Sequence, residues 1–168
     1  ALLSGGMLAV LSPNAAYALE GTAENNYTVT ITDENITENV YGNKGNPDSE
    51  TGDITGHVKI SGGTIGSSEN SVEIYGGYYY NGIGEYRVKN SVVEISGGTI
   101  YGDIYGGRGY YSRSSGWNDI RDAVDNKIYI TGGTIYGDIY GGYDGSYVDY
   151  KKYPEEYKNH KGVARNEV

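Results

Sequence analysis

Cysteine and phenylalanine are absent from this chain, and proline (3), tryptophan (1) and methionine (1) are scarce. Without cysteine there is no disulfide framework and no thiolate metal site. Three prolines against 28 glycines in 168 residues rule out collagen and a proline-rich linker. With no phenylalanine and little leucine, a conventional globular core is hard to build. The aliphatic core must come from isoleucine and valine, and a stacked structure that buries one narrow aliphatic column suits that supply. Positive charge is also short, with 13 Lys and Arg against 22 Asp and Glu and a net charge of -9. That balance argues against nucleic acid and against an anionic membrane surface, since both need basic patches. It fits solubility outside the cell or the binding of cations. What the chain does have is glycine and 20 tyrosines.

The N-terminus points to export. Ala1 to Leu11 (ALLSGGMLAVL) is an uncharged apolar run, followed by Ser12-Pro13-Asn14 and then Ala16-Tyr17-Ala18. This is the apolar region and the A-x-A cleavage site of a secretory signal peptide. Cleavage is expected after Ala18, with Ala16 and Ala18 as the small residues and Leu19 as the mature start. Residues 1–18 are therefore read as a signal-peptide helix, truncated at its start because the basic segment and initiating Met are missing. The alternative is a short buried helix. The run is too short for a membrane span.

A repeat dominates the remainder. Val58-Lys-Ile-Ser-Gly-Gly-Thr-Ile65, Val93-Glu-Ile-Ser-Gly-Gly-Thr-Ile100 and Ile128-Tyr-Ile-Thr-Gly-Gly-Thr-Ile135 begin at 58, 93 and 128, a period of 35 residues. The last two copies continue identically as Tyr-Gly-Asp-Ile-Tyr-Gly-Gly. A degenerate copy, VTITDENITENVYGNKG, starts at Val29. The copy at 58 carries extra residues before Ile74-Tyr75-Gly76-Gly77, and within them Asn70-Ser71-Val72 also resembles a strand start. The chain ends on Asn166-Glu167-Val168, which matches the opening of a further repeat. Residues 19–168 are accordingly one repeat region, with copies starting near 29, 58, 93 and 128.

The unit reads as short strands with glycine corners. Val93-Glu94-Ile95 alternates apolar and polar, and its branched residues suit a pleated surface. Gly97-Gly98 permits positive φ and breaks the strand. Thr99-Ile100 is a second extended piece. Ile104-Tyr105 is a third, closed by Gly106-Gly107. The fold class that follows is all-β, a parallel β-helix or β-solenoid stub with Gly-rich turns. Stacking about 4.8 Å apart places Ile95 on Ile60 and Ile130. It also forms ladders of Tyr41, Tyr75, Tyr105 and Tyr140, and of Tyr101 and Tyr136. The pattern leaves open whether 35 residues make one coil or two. The variable segments 78–92, 108–127 and 143–163 are expected to be loops, each with room for one more short strand. Loops held on a rigid repeat are where binding usually sits. Tyr78, Tyr79, Tyr80, Tyr110, Tyr111 and Trp117 are the candidates for a partner surface.

The NSVVEISGGTI (residues 90–100) and GDIYGG motifs, behind a leader ending in Ala-Tyr-Ala, resemble the passenger domains of bacterial autotransporters. The resemblance implies a long parallel β-helix displayed at the cell surface or released from it, associated with the outer membrane. It implies adhesion to host or cell-surface glycans or proteins, with the mature part outside the bilayer. The outer-membrane barrel of that family is absent from this sequence.

Chemistry is sparse. Calcium β-rolls use G-G-x-G-x-D-x-U-x in tandem. Here Gly97-Gly98-Thr99-Ile100-Tyr101-Gly102-Asp103 shifts the acid by one place. Asp103 and Asp138 are therefore read as turn residues, with a calcium site between coils as the alternative. Polysaccharide-active β-helix enzymes gather several acids with a base on one face. The repeat strands carry Glu94 and Asp103 with no repeated base, so catalysis is not expected in this stretch. A non-catalytic part of such an enzyme is a second alternative. Neither His57 nor His160 has metal or triad spacing. The sequons at Asn26 and Asn35 are read as turn composition.

Overall fold

The computed structural model of the chain describes residues 19–80, 86–110, 122–144, 163–164 and 167–168. The signal-peptide helix and its cleavage residues Ala16 and Ala18 lie outside them. Every strand pair is parallel, and partners come from successive repeats rather than from sequence neighbours. In the first repeat the strands are β1 Leu19–Glu20, β2 Thr28–Ile31, β3 Asn35–Ile36, β4 Val40–Lys44 and β5 Asp53–Ile54. The second carries β6 His57–Ile60, β7 Thr64–Ile65, β8 Ile74–Tyr80 and β9 Arg87–Lys89. The third carries β10 Val92–Ile95, β11 Thr99–Ile100, β12 Ile104–Tyr110 and β13 Ala123–Val124. The fourth carries β14 Lys127–Ile130, β15 Thr134–Ile135, β16 Ile139–Tyr140, β17 Tyr143–Asp144 and β18 Val163–Ala164.

These strands form four parallel sheets, and from β2 onward the chain visits each sheet once per repeat, while β1 lies one layer before β4 in the third sheet. The first sheet is ordered β14-β10-β6-β2, the second β15-β11-β7-β3, the third β1-β4-β8-β12-β16 with β17 beside β12, and the fourth β18-β13-β9-β5. Val93↔Val58, Ile95↔Ile60 and Ile95↔Ile130 are direct partners, so one repeat makes one circuit, not two. The all-β parallel architecture is compatible with a β-solenoid.

The registers explain the core. Val29, Ile31, Val58, Ile60, Val93, Ile95 and Ile128 point inward from the first sheet. Ile36, Ile65 and Ile100 point inward from the second, and Val40, Ile74 and Ile104 from the third. All are almost fully buried. Each contributes about 1.5–3 kcal/mol when removed from water. Period-two alternation produces this: Thr30, Lys59 and Glu94 occupy the opposite face of the same strands.

Gly63, Gly98 and Gly133 turn the chain between the first and second sheets at φ +79°, +92° and +95°. A side chain there would be strained. The five extra residues after Ile65 do not start a strand. They form a turn closed by Asn70 N–H on Ser67 O, and Val72 is buried while donating its N–H to Tyr101 O.

Two expectations need correction. Gly76-Gly77 and Gly106-Gly107 do not close the third strand, because β8 and β12 run through them to Tyr80 and Tyr110. Tyr78, Tyr79, Tyr80 and Tyr110 therefore lie in strands, not loops. The glycines serve close approach instead. A Cβ on Gly106 would sit 2.3 Å from Gly141 O, and one on Gly76 would sit 2.3 Å from Gly106 O. The extra strand in each variable segment supplies the fourth sheet.

Candidate functional site

The third sheet carries the largest concentration of chemistry on its outer face. Tyr41, Tyr75, Tyr105 and Tyr140 follow one register and stack as parallel rings with centroids 5.0 Å apart at each step. Such stacking adds about 0.5–1.5 kcal/mol per pair beyond burial. Outer-face residues normally meet water, yet Tyr75 is 2% exposed and Tyr105 6%. The cover is the next column along the same strands. Lys44, Tyr78, Arg108 and Tyr143 are in register past the glycine pair and fold back over the rings. Lys44 Nζ lies 4.6 Å from the Tyr41 ring centroid. The Arg108 guanidinium lies 5.1 Å from both Tyr105 and Tyr143. Tyr78 packs against Tyr41 and Tyr75 at 5.3 and 4.8 Å.

Each ring in this column also meets a polar group two residues earlier. Tyr75 donates its hydroxyl hydrogen bond to Glu73, Tyr105 to Asp103 at 3.3 Å and Tyr140 to Asp138 at 3.2 Å. In the first circuit Asn39 donates to Tyr41 instead, at 3.4 Å. Arg108 Nη1 donates to Tyr75 Oη at 2.8 Å and lies 3.5 Å from Glu73 Oε1. Burial is the main force holding the Tyr75 phenol well above its ordinary pKa. The hydrogen bond to Glu73 adds to this, and Arg108 partly opposes it. Tyr105 is raised in the same way, first by burial and then by the charge of Asp103. The Tyr78 phenol is raised by burial.

The tyrosines proposed for partner contact separate accordingly. Tyr79 is buried against Ile54, Val88 and Tyr86, and Tyr78 is half-buried over the ladder. Tyr80 is 52% exposed. Tyr110 ends β12, while Tyr111 and Trp117 lie outside the described residues. Alternation along β8 buries Tyr79, and the glycine pair sets the phase of that alternation. Leu19 starts β1 and donates its N–H to Asn39 O at 3.2 Å.

Asp103 and Asp138 do stack one circuit apart. Asp103 Oδ1 accepts the Asp138 backbone N–H at 2.9 Å, and Oδ2 accepts the Tyr105 hydroxyl. One oxygen thus ties the turn to the next circuit and the other holds a ring of the tyrosine column. Among the described residues no three His, Asp or Glu side chains gather as a metal-binding group. On the first sheet, stacking brings His57 Nε2 to 3.3 Å and Lys59 Nζ to 3.7 Å from Glu94 Oε2. The acid thus has a base beside it after all, supplied from the neighbouring circuit. Glu94 and Lys59 are about half exposed, while His57 is partly buried with its Nε2 out of contact with solvent.

One feature had almost no sequence signal. At the corner between the fourth and first sheets, Asn43, Ser91 and Asn126 are buried polar side chains. Asn126 accepts the Ser91 N–H at 3.0 Å and donates to Val88 O at 3.1 Å. Ser91 Oγ accepts the Gly56 N–H at 3.2 Å. Asn43 donates to Thr55 O at 3.0 Å and to Asn46 O at 2.9 Å. Asparagine stands about two residues ahead of Val72, Val92 and Ile128, as Asn70, Asn90 and Asn126, and of the three buried side chains only Asn126 belongs to that series. No family model, no curated protein and no solved structure matches this chain.

Proposed function

We propose that the four circuits are coils of an exported β-solenoid, and that the chain is a structural or adhesive part of a bacterial surface protein of the autotransporter-passenger kind. The observation that supports this is the uninterrupted register. Each sheet gains one strand per repeat, and the aliphatic and tyrosine columns run through all four circuits. Such arrays gain stability from nearest-neighbour contacts and offer long faces for display. The side chains on the outer face of the third sheet are occupied with one another, which favours a scaffold role over catalysis. Adhesion to glycans or proteins rests on the resemblance, and Tyr80, Tyr110, Tyr111 and Trp117 remain its candidate residues.

Export is tested by expressing the chain behind an initiating Met and a short basic segment, then sequencing the N-terminus of the product. A mature start at Leu19 is expected, and an uncleaved product retained inside the cell ends the export reading. Adhesion is tested with the purified chain on immobilised cell-surface glycans and proteins. Replacing Tyr110, Tyr111 and Trp117 together abolishes binding if those residues carry it. Calcium stabilisation is tested by thermal melting, where no shift at millimolar calcium is expected.

A further inference from the structure

Tyr101 and Tyr136 form a second stacked pair, and it differs from the long column in three respects. The rings are closer, with centroids 4.7 Å apart and planes 13° from parallel. The pair lies on the outside, with Tyr136 65% exposed and Tyr101 half-buried. Among the described residues neither hydroxyl has a hydrogen-bond partner, whereas Tyr75, Tyr105 and Tyr140 each donate to a carboxylate. The two residues belong to successive circuits and are held in register by the pairing of Ile100 with Ile135. The chain contains no cysteine and 20 tyrosines. With no thiols present, phenols are the most abundant side chains through which one-electron oxidation could join two circuits covalently.

We infer that Tyr101 and Tyr136 are a site of oxidative cross-linking, at which a one-electron oxidant joins successive circuits through a dityrosine bond. A peroxidase with hydrogen peroxide is an oxidant of this class. Each phenol gives up one electron and one proton, and the peroxide takes both pairs to become two waters. The two phenoxyl radicals then form one bond between ring carbons ortho to their oxygens. Each of those carbons loses its hydrogen as a proton while its own phenol is restored. The product lacks two hydrogen atoms relative to the starting pair. Near-parallel stacking holds the two rings with centroids 4.7 Å apart, and proximity of this kind raises the rate of coupling. A protein-sized oxidant reaches Tyr136 directly. Tyr75 and Tyr105 lie beneath Tyr78, Arg108 and Tyr143 and are out of its reach.

The experiment treats the full chain with horseradish peroxidase and hydrogen peroxide at low protein concentration, followed by digestion and mass spectrometry. The expected result is a linked peptide pair containing Tyr101 and Tyr136, lighter by two hydrogens, with dityrosine fluorescence. No pair containing Tyr75 and Tyr105 is expected. In a mixture of isotope-labelled and unlabelled chains, the linked pair is expected within one chain and never between two. Tyr101→Phe keeps the ring stack and abolishes that pair, and Tyr75→Phe leaves it unchanged. The cross-linked chain unfolds at higher denaturant than the untreated one. Oxidation of other tyrosines without the Tyr101–Tyr136 pair overturns the inference, as does a pair that forms equally in urea-unfolded chain or only between chains. The test uses purified protein and is independent of the export reading.

Discussion

Two sides of one circuit, Val92–Gly98 and Ile104–Tyr110, begin alike. Both open with aliphatics that enter the core, and both carry a Gly-Gly pair. On the first side the pair is a corner. Gly98 takes φ +92° and the chain turns, leaving Glu94 half exposed on the outer face beside Lys59 and His57. On the other side neither glycine has positive φ and the strand continues past them. The residues beyond then return over the outer face and bury it. The same dipeptide therefore ends one side and extends the other, and what decides is the packing around it. At Gly106 and Gly107 the neighbours are the backbone of Gly141 and the side chain of Asn126.

The sharpest way to break this comparison is Gly106→Val. Its Cβ would lie 2.3 Å from a backbone oxygen, which cannot rotate away. A loss of about 3 kcal/mol or more is expected in urea unfolding, because the circuits must separate to admit it. Gly107 differs, because a Cβ there meets Asn126 Nδ2 at 2.4 Å. In the first circuit the same place is filled from the other direction, with Asn43 in register with Gly77 and Gly56 packed beside it. Gly107→Asn alone is expected to cost about 1–3 kcal/mol. Asn126→Gly alone costs a similar amount by stranding the Ser91 N–H and Val88 C=O. The double variant recreates the first circuit's arrangement and recovers much of the sum, which a double-mutant cycle reads directly.

The buried outer face should also show in pH dependence. The Tyr75 and Tyr105 phenols are raised above their usual value of 10.0 in the folded chain. The unfolded chain therefore loses those protons first as pH rises. The stabilisation is complete below about pH 10 and is lost progressively above it. Urea midpoints at about pH 8 and about pH 11 are expected to differ, and Tyr75→Phe narrows the gap. A midpoint unaffected by that substitution contradicts burial of the ring. The smallest effect belongs to the exposed side. Glu94→Gln is expected to cost less than about 1 kcal/mol, and less still at high salt.

How much of this was legible follows from the same contrast. The aliphatic and tyrosine columns were readable because a 35-residue period aligns identical residues, and stacking converts alignment into contact. The covering of the ladder by Tyr78 and Arg108 was not, because Gly-Gly signals a turn equally well when it permits close approach. The buried corner was hidden for another reason. Asn43, Ser91 and Asn126 differ in type, and Asn43 comes from a different strand edge than the other two. The fourth sheet was foreshadowed only as spare short strands, since pieces of two or three residues such as Ala123–Val124 are too brief to show alternation.

The one-repeat, one-circuit registry has a mechanical consequence. Hydrogen bonds between circuits run along the stacking direction, so tension along it loads the layers in series, while the four sheets within a layer share the load. A chain drawn out from one end sheds whole circuits in turn, each releasing about 120 Å of slack at the extended-chain rise. An array of this design lengthens in discrete steps under shear, dissipating force at each step while the circuits still stacked keep their shape.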